Sequence, residues 1–386
     1  MSPKPHRLEV SAAFVERTGR APEGLWAAPG RVNLMGEHTD YNDGFVLPLA
    51  IDRQVVAAAG RRTDGGLRMW SLQEEDEPVC TGLDELAPGS VKGWAAYVAG
   101  VAWALGEERV PIGGADIVLS GNVPVGAGLG SSAALECVTG LAFDDLYGVG
   151  MSPVERALLA QRTENEYVGV PCGAMDQMAS TLGRAGFALF LDTRSLQHEQ
   201  VPLRLDAAGL SLLVIDSGVG HRLAQGEYAD RRQACESAAD ELGVAALRDL
   251  RAEELADALA RLDDERAGQV RHVVTENGRV LEAVDLLRSG QWSDLGPLLT
   301  ASHASLRDDY RVSSAELDTA VEAALLGGAV GARMTGAGFG GSAIALVPLA
   351  AVDSVTTAVS QVFADRHFGL PVIFPAVSSD GARRLG

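Results

Sequence analysis

Arg31, Glu37, His38 and Asp40 fall within ten residues of one another and bring together one fixed cation, two carboxylates and an imidazole. Carboxylates accept hydrogen bonds from hydroxyl groups and arginine can meet phosphate, so the cluster suits the several hydroxyls of a sugar. On residue types alone, a polar surface turn with local Asx-type hydrogen bonds accounts for the same letters. His38, Thr39 and Asp40 make a poor metal site, because no second histidine or cysteine stands near them in sequence.

A second group is the glycine-rich run 124–132, PVGAGLGSS. Apolar residues at 134, 137, 138, 141, 142 and 146 predict an amphipathic helix from Ser131 to Tyr147 directly after it. Backbone N–H groups at a helix N-terminus attract phosphate through hydrogen bonds and the macrodipole, and glycines allow close approach. The run lacks the GK[ST] ending of a Walker A loop, so amides, hydroxyls and a metal would have to hold the anion. A glycine-rich turn with Ser131 or Ser132 as N-cap is the plainer alternative.

Three further groups bear weighing. Asp176 is a lone acid among small and apolar residues, surroundings that suit a tuned carboxylate but also a helix-cap aspartate. Glu164, beside Glu166, reads by itself as a solvated helix residue, and Cys172 has no histidine close in sequence to make it a nucleophile. Gly336, Gly338 and Gly341 spell GxGxxG, but a strand-like run at 343–347 follows where a dinucleotide-binding fold needs a helix. Close approach of this backbone to a neighbouring loop is the better explanation.

The elements that must carry these groups are mixed. Strand, loop and strand are predicted between 27 and 59, and a short strand at 116–119. Ser152, Pro153 and Glu155 form an N-cap, N1 proline and N3 glutamate for a helix running to about Tyr167, ahead of Gly169 and Pro171. A buried strand at 212–215 and helices at 229–243 and 252–262 follow. The polar stretch 197–206 separates two apolar strand candidates and places a boundary near residue 205, dividing the chain into residues 1–205 and 206–386.

Composition excludes other classes. With 386 residues, 47% hydrophobic and 22% charged, the chain is globular and long enough for two domains. A net charge of −20 argues against nucleic acid or an anionic membrane as partner. Lys4 and Lys92 are the only lysines and neither lies in a glycine-rich context, which disfavours phosphate-loop or Schiff-base lysine chemistry. Four scattered cysteines without CxxC spacing suggest neither zinc nor a disulfide scaffold and fit a reducing cytoplasm. The charged first twenty residues and the lack of a long apolar run predict a chain that is neither exported nor membrane-spanning.

Taken together the segments resemble the galactokinases of the GHMP small-molecule kinase family. Residues 28–42, APGRVNLMGEHTDYN, are similar to the galactokinase signature nearly letter for letter. Residues 122–134 resemble the family's ATP-phosphate loop, and 334–342 its third glycine-rich motif. The stretches 172–177, 226–228 and 302–310 extend the likeness in the right order across nearly the whole chain.

The resemblance implies an α+β, two-domain GHMP kinase fold with mixed sheets, helices in each half and the active site between them. It implies an ATP-dependent transfer to the C1 hydroxyl of galactose, the first step of galactose use by the Leloir pathway. Asp176 would be catalytic base or orienter, and Arg31 would stabilise the transferring phosphoryl. Glu37, His38, Thr39, Asp40, Gly173 and Tyr228 would bind the sugar. ATP would lie on Gly126, Ala127, Gly128, Leu129, Gly130, Ser131 and Ser132, with Ser71 near the nucleotide. Ser132 and Glu164 match the family's magnesium ligands, the sparse hard-oxygen set that Mg2+ accepts while keeping water and phosphate. Expected partners are galactose and MgATP only, with a monomer as the expected state.

Three departures stand out. Gly130 replaces the family's usual serine, Ala337 a glycine, and Met35 and Ala174 stand where isoleucine is commoner, which implies altered loop stiffness rather than lost activity. The alternatives are a related sugar-1-kinase for N-acetylgalactosamine or arabinose, and a non-catalytic galactose sensor. Such sensors lack part of the serine-alanine stretch kept here as Ser131, Ser132 and Ala133.

Overall fold

A computed structural model describes residues 7–74, 77–220 and 224–385. Its strands are β1 (Gly24–Asn33), β2 (Phe45–Val46), β3 (Pro48–Arg62), β4 (Gly66–Ser71), β5 (Val79–Gly82), β6 (Gly114–Gly121), β7 (Phe187–Asp192), β8 (His198–Pro202), β9 (Leu210–Asp216), β10 (Gly331–Thr335), β11 (Ser342–Pro348), β12 (Val372–Pro375) and β13 (Arg383–Arg384). Its helices are α1 (Arg7–Thr18), α2 (Trp94–Glu107), α3 (Ser131–Tyr147), α4 (Pro153–Arg162), α5 (Met175–Leu182), α6 (Ala224–Leu242), α7 (Leu255–Leu259), α8 (Asp264–Arg288), α9 (Leu295–Asp308), α10 (Ala315–Leu326) and α11 (Val352–Asp365).

Three sheets result, ordered β13-β1-β3-β6-β4-β5, β2-β7-β8 and β10-β11-β9-β12. The only parallel pairing among them is β4 with β6, so the architecture is mixed α+β, as expected. The first two sheets use strands up to Pro202 and the third begins at Leu210. The chain's end then returns to the first sheet, where β13 pairs with β1.

β9 shows why its sequence is continuously apolar. Leu212 and Val214 face one hydrophobic cluster with β1, β3 and α3, while Leu213 and Ile215 face another with α8, α10 and α11. Both faces of that strand are therefore buried.

Local signals set the helix ends. Gly130 (φ 72) precedes α3 and Gly148 (φ 63) ends it, both left-handed, a region open to glycine at little cost. The Ser152 hydroxyl accepts from the Glu155 N–H, and the Glu155 carboxylate accepts from the Ser152 N–H, closing the capping box expected for α4. The helix then runs on to Val168, but its last turn, Thr163–Val168, is a π-helix ending at Gly169.

Two local readings differ in the fold. The polar stretch 197–206 contains β8, an edge strand in which Val201 alone is fully buried, so its letters look solvated. The helix expected over 252–262 is a short 3-10 turn, Ala252–Glu254, followed by the five-residue α7.

Candidate active site

Strand β1 breaks register between Pro29 and Arg31, and the bulge aims Arg31 at the glycine-rich loop. A Cβ on Gly30 would lie 2.6 Å from the Leu129 carbonyl oxygen. That glycine lets the two backbones touch, and the Arg31 N–H donates to the same oxygen at 2.9 Å. The Arg31 guanidinium then donates to both oxygens of Asp176, from Nε at 2.7 Å and Nη2 at 2.5 Å, and from Nη1 to the Gly128 carbonyl at 2.5 Å. Burial works against its charge, but Asp176, Glu37 and Asp40 hold Arg31 above its ordinary pKa. Asp176 sits in the first turn of α5, where a carboxylate also meets the positive end of the helix.

Around this pair lies a cavity of about 630 Å³, within the roughly 300–1,000 Å³ usual for small-molecule sites. Of the residues expected at the site, Arg31, Glu37, His38, Asp40, Gly126, Gly128, Leu129, Gly130, Ser131, Ser132, Glu164, Gly173, Asp176 and Tyr228 line it.

Three do not. Thr39 is buried, with its hydroxyl 2.8 Å and 2.7 Å from the Gly36 and Phe45 carbonyls, where it holds the turn that presents its neighbours. Ala127 is buried within the loop and its carbonyl accepts from the Ser342 hydroxyl at 2.8 Å. Ser71 ends β4, and its hydroxyl accepts from the Gln73 N–H at 3.3 Å.

Glu37 is tied into a buried ionic network. Arg333, fully buried, donates to Glu37 Oε2 at 2.5 Å, and the Gly336 N–H donates to Oε1 at 3.0 Å. Burial still raises the Glu37 pKa, against the pull of Arg333 and Arg31. Asp40 lies against Gly173 so closely that a Cβ there would be 2.1 Å from Oδ2. Burial, then the charge of Asp176, raise Asp40 to about 7.

Glu164 is also raised to about 7, by burial and then by Asp176, while a hydrogen bond with the Ser132 hydroxyl lowers it. The π-helical turn brings this residue into the interior, as such turns often do at functional sites. Gln177 Nε2 donates to Glu164 at 2.7 Å and to Glu136 at 3.2 Å. Glu136 is fully buried and driven well above its usual range, first by burial and then by Glu164.

Phosphate chemistry has a place in the loop. Gly126, Gly128 and Gly130 alternate in the left-handed region at φ 74, 70 and 72, and α3 begins without a side-chain cap. A Cβ on Gly336 would be 2.9 Å from the Gly128 carbonyl, so the second glycine motif packs on the first. This is the close approach its sequence suggested. No helix among the described residues is long and apolar enough to cross a membrane.

Comparison with known proteins agrees with this geometry. The family model for the galactokinase galactose-binding signature matches residues 12–61, that for the GHMP kinases N terminal domain 96–184, and that for the GHMP kinases C terminal domain 283–365. The fold and site define the chain as a GHMP kinase.

Within that class it belongs to the galactokinase family. It is 54% identical to the galactokinase of Streptomyces coelicolor over 378 residues, covering 97% of this chain and 98% of that one. It is 46% identical to that of Chloroflexus aggregans, covering 92% of each. The crystal structure of Lactococcus lactis galactokinase complexed with galactose superposes with a TM-score of 0.94 at 34% identity, covering 98% of this chain and 99% of that one. Mevalonate kinase from Methanococcus jannaschii shares the fold at a TM-score of 0.65 and 18% identity, covering 92% of this chain and 98% of that one.

The cavity also uses Tyr97, Val125, Val170, Cys172, Met175, Gly220, Gly336 and Ala337, which were not among the expected site residues. Gly336 and Ala337 lie in the GxGxxG motif, whose expected close approach to a neighbouring loop was the available signal. Tyr97 stands in the alanine-rich α2 with nothing in its surrounding letters to mark it.

Proposed function

We infer that this chain transfers the γ-phosphoryl group of ATP to the C1 hydroxyl of D-galactose, giving galactose 1-phosphate and ADP. The observation that carries this reading is one guanidinium, Arg31, bonded at once to Asp176 and to the Gly128 carbonyl of the phosphate loop. On this reading it would fix the spacing between the group facing the acceptor and the cradle of the donor. Phosphoryl transfer depends mostly on such positioning and on charge neutralisation.

Asp176 would orient and accept from the C1 hydroxyl, held by Arg31 in one rotamer. Glu37, Asp40 and the Tyr228 ring would take the remaining sugar surface, with Gly173 leaving room for the Asp40 carboxylate. Loop amides 126–132 and the N-terminus of α3 would receive the phosphates.

The donor set at Ser132 and Glu164 fits Mg2+. Two hard oxygens lie in hydrogen-bond contact, and the described residues hold no cluster of three His, Cys, Asp or Glu that would make a protein-only cage. When bound there, Mg2+ would neutralise charge on the β- and γ-phosphates. We place the division between the halves near residue 205 and the enzyme in the cytoplasm, where its four free thiols stay reduced.

The test is magnesium-dependent ADP release across hexoses, pentoses and amino sugars. Turnover with galactose is expected. Failure with galactose and turnover with N-acetylgalactosamine or arabinose would overturn the substrate assignment, and binding of galactose and ATP without ADP release would overturn catalysis.

A further inference from the structure

His38 lines the cavity, yet both of its ring nitrogens are already engaged. Nε2 lies 3.1 Å from the Ala337 carbonyl oxygen and Nδ1 2.7 Å from the Tyr41 hydroxyl. A carbonyl oxygen only accepts, so Nε2 carries the hydrogen. Burial lowers the imidazole to about 3, which keeps the ring neutral, so Nδ1 is a lone pair and the Tyr41 hydroxyl donates to it.

Each further link then has one direction. Tyr41 has given its hydrogen to His38, so its oxygen accepts from the Tyr310 hydroxyl at 2.7 Å. Tyr310 has given its own, so it accepts from the Cys235 thiol at 3.1 Å. Tyr310 and Cys235 are buried, and neither they nor Tyr41 line the cavity. The backbone of His38 is left-handed (φ 61), a conformation that a non-glycine residue keeps only where its surroundings over-determine it.

We propose that the Tyr310–Tyr41 hydroxyl pair is a positioning device that fixes His38 as its Nε2–H tautomer and so ties the Ala337 carbonyl, in the loop packed on the phosphate loop, to the wall of the sugar pocket. His38 then offers the sugar a ring surface rather than a donor nitrogen. That ring is held between Tyr228, at a centroid distance of 5.6 Å, and Tyr310, at 4.8 Å. The kinetic consequence rests on the galactose kinase reading, whereas the tautomer does not.

The experiment compares Tyr41→Phe, Tyr310→Phe and the double variant in the full chain, by initial rates and by 15N NMR of histidine-labelled protein. His38 is assigned by the signal lost in His38→Gln. Tyr41→Phe strands a buried acceptor and should raise KM for galactose about tenfold, with KM for ATP nearly unchanged and the His38 Nδ1 resonance shifted toward its unbonded position. Tyr310→Phe should raise it about threefold, being one bond further away, and the double variant should match Tyr41→Phe alone.

An unchanged galactose KM in folded Tyr41→Phe, multiplicative single effects, or an Nδ1–H tautomer in the wild-type protein would each overturn the proposal. Should Tyr41→Phe not fold, Tyr310→Phe decides it by the same two readouts. Should the wild-type protein not turn over galactose, the functional reading fails and the tautomer alone decides the device.

Discussion

Replacing Asp176 by asparagine keeps the outline of the side chain and removes its charge, and the structure gives the change two opposed effects on stability. The carboxylate accepts two bonds from Arg31, at 2.7 Å and 2.5 Å. The amide keeps one acceptor and sets its NH2 against a donor, a loss of about 1.5–3 kcal/mol for a bond to a charged group. In the other direction, Asp176 repels Asp40 and Glu164, which burial and that charge together raise to about 7. Removing it lets both ionise more easily, so the net loss stays below about 3 kcal/mol, within what a domain survives.

Catalysis has no such compensation in Asp176→Asn. A positioned acid–base group contributes roughly 10²–10⁴-fold, so kcat should fall by that factor while KM for ATP changes little. The assay is ADP release coupled to NADH oxidation, on protein whose thermal transition has been checked, together with a 13C titration of Asp40. A folded variant turning over within about tenfold of the wild-type protein refutes the role of Asp176. An Asp40 titration that does not move downward refutes the electrostatic coupling between the two carboxylates.

Gly173→Ala should displace the Asp40 carboxylate, since the new Cβ would lie 2.1 Å from Oδ2; KM for galactose should rise about tenfold through the lost contact, with KM for ATP unaffected in the same initial-rate series. Gly130→Ser puts a side chain at φ 72 and 3.2 Å from Arg31 Cγ. It should cost about 1–2 kcal/mol, lowering Tm by about 2–4 °C per kcal/mol, and a calorimetric scan showing no decrease would contradict the strain. Asp40 and Glu164 rise from ordinary values of 3.8 and 4.5 to about 7, so the folded state binds more protons than the unfolded chain between those values. Their contribution is therefore fully present below about pH 4 and lost as pH rises through about 7. Urea titrations from pH 5 to 8 should show that slope, and Asp40→Asn should flatten it.

What could be read from the letters was local. The capping box at Ser152 and Glu155 involves neighbours three residues apart, and the periodicity of 131–147 is a property of one helix, so both appear in the sequence as they do in the fold. Glu164 could not be read this way, because the π-helical turn that buries it shifts a residue whose charged neighbours suggest solvent. Arg333 pairs with Glu37 across 296 positions, and β13 completes a sheet begun at Gly24. No window of sequence contains either pairing. The signature around Arg31 was legible only as a resemblance, because its individual residues also suit an ordinary turn. Thr39, inside that signature, serves the turn's backbone rather than the cavity wall.

The charges of the cavity explain why a chain of net charge −20 can serve a nucleotide. Arg333 answers Glu37 and Arg31 answers Asp176, each by direct hydrogen bonds. Among the described residues, Asp40 and Glu164 share no ion pair with an arginine of their own, and burial beside Asp176 raises both to about 7. The negative field is thus muted until a cation or a set of hydroxyl donors arrives to favour the ionised forms. On the proposed reading, phosphate would approach from the other wall, where the left-handed glycines and the uncapped start of α3 offer N–H groups. Arg31 lies between the two walls, so a basic patch is unnecessary and a lysine would add nothing that its fixed fork does not already place.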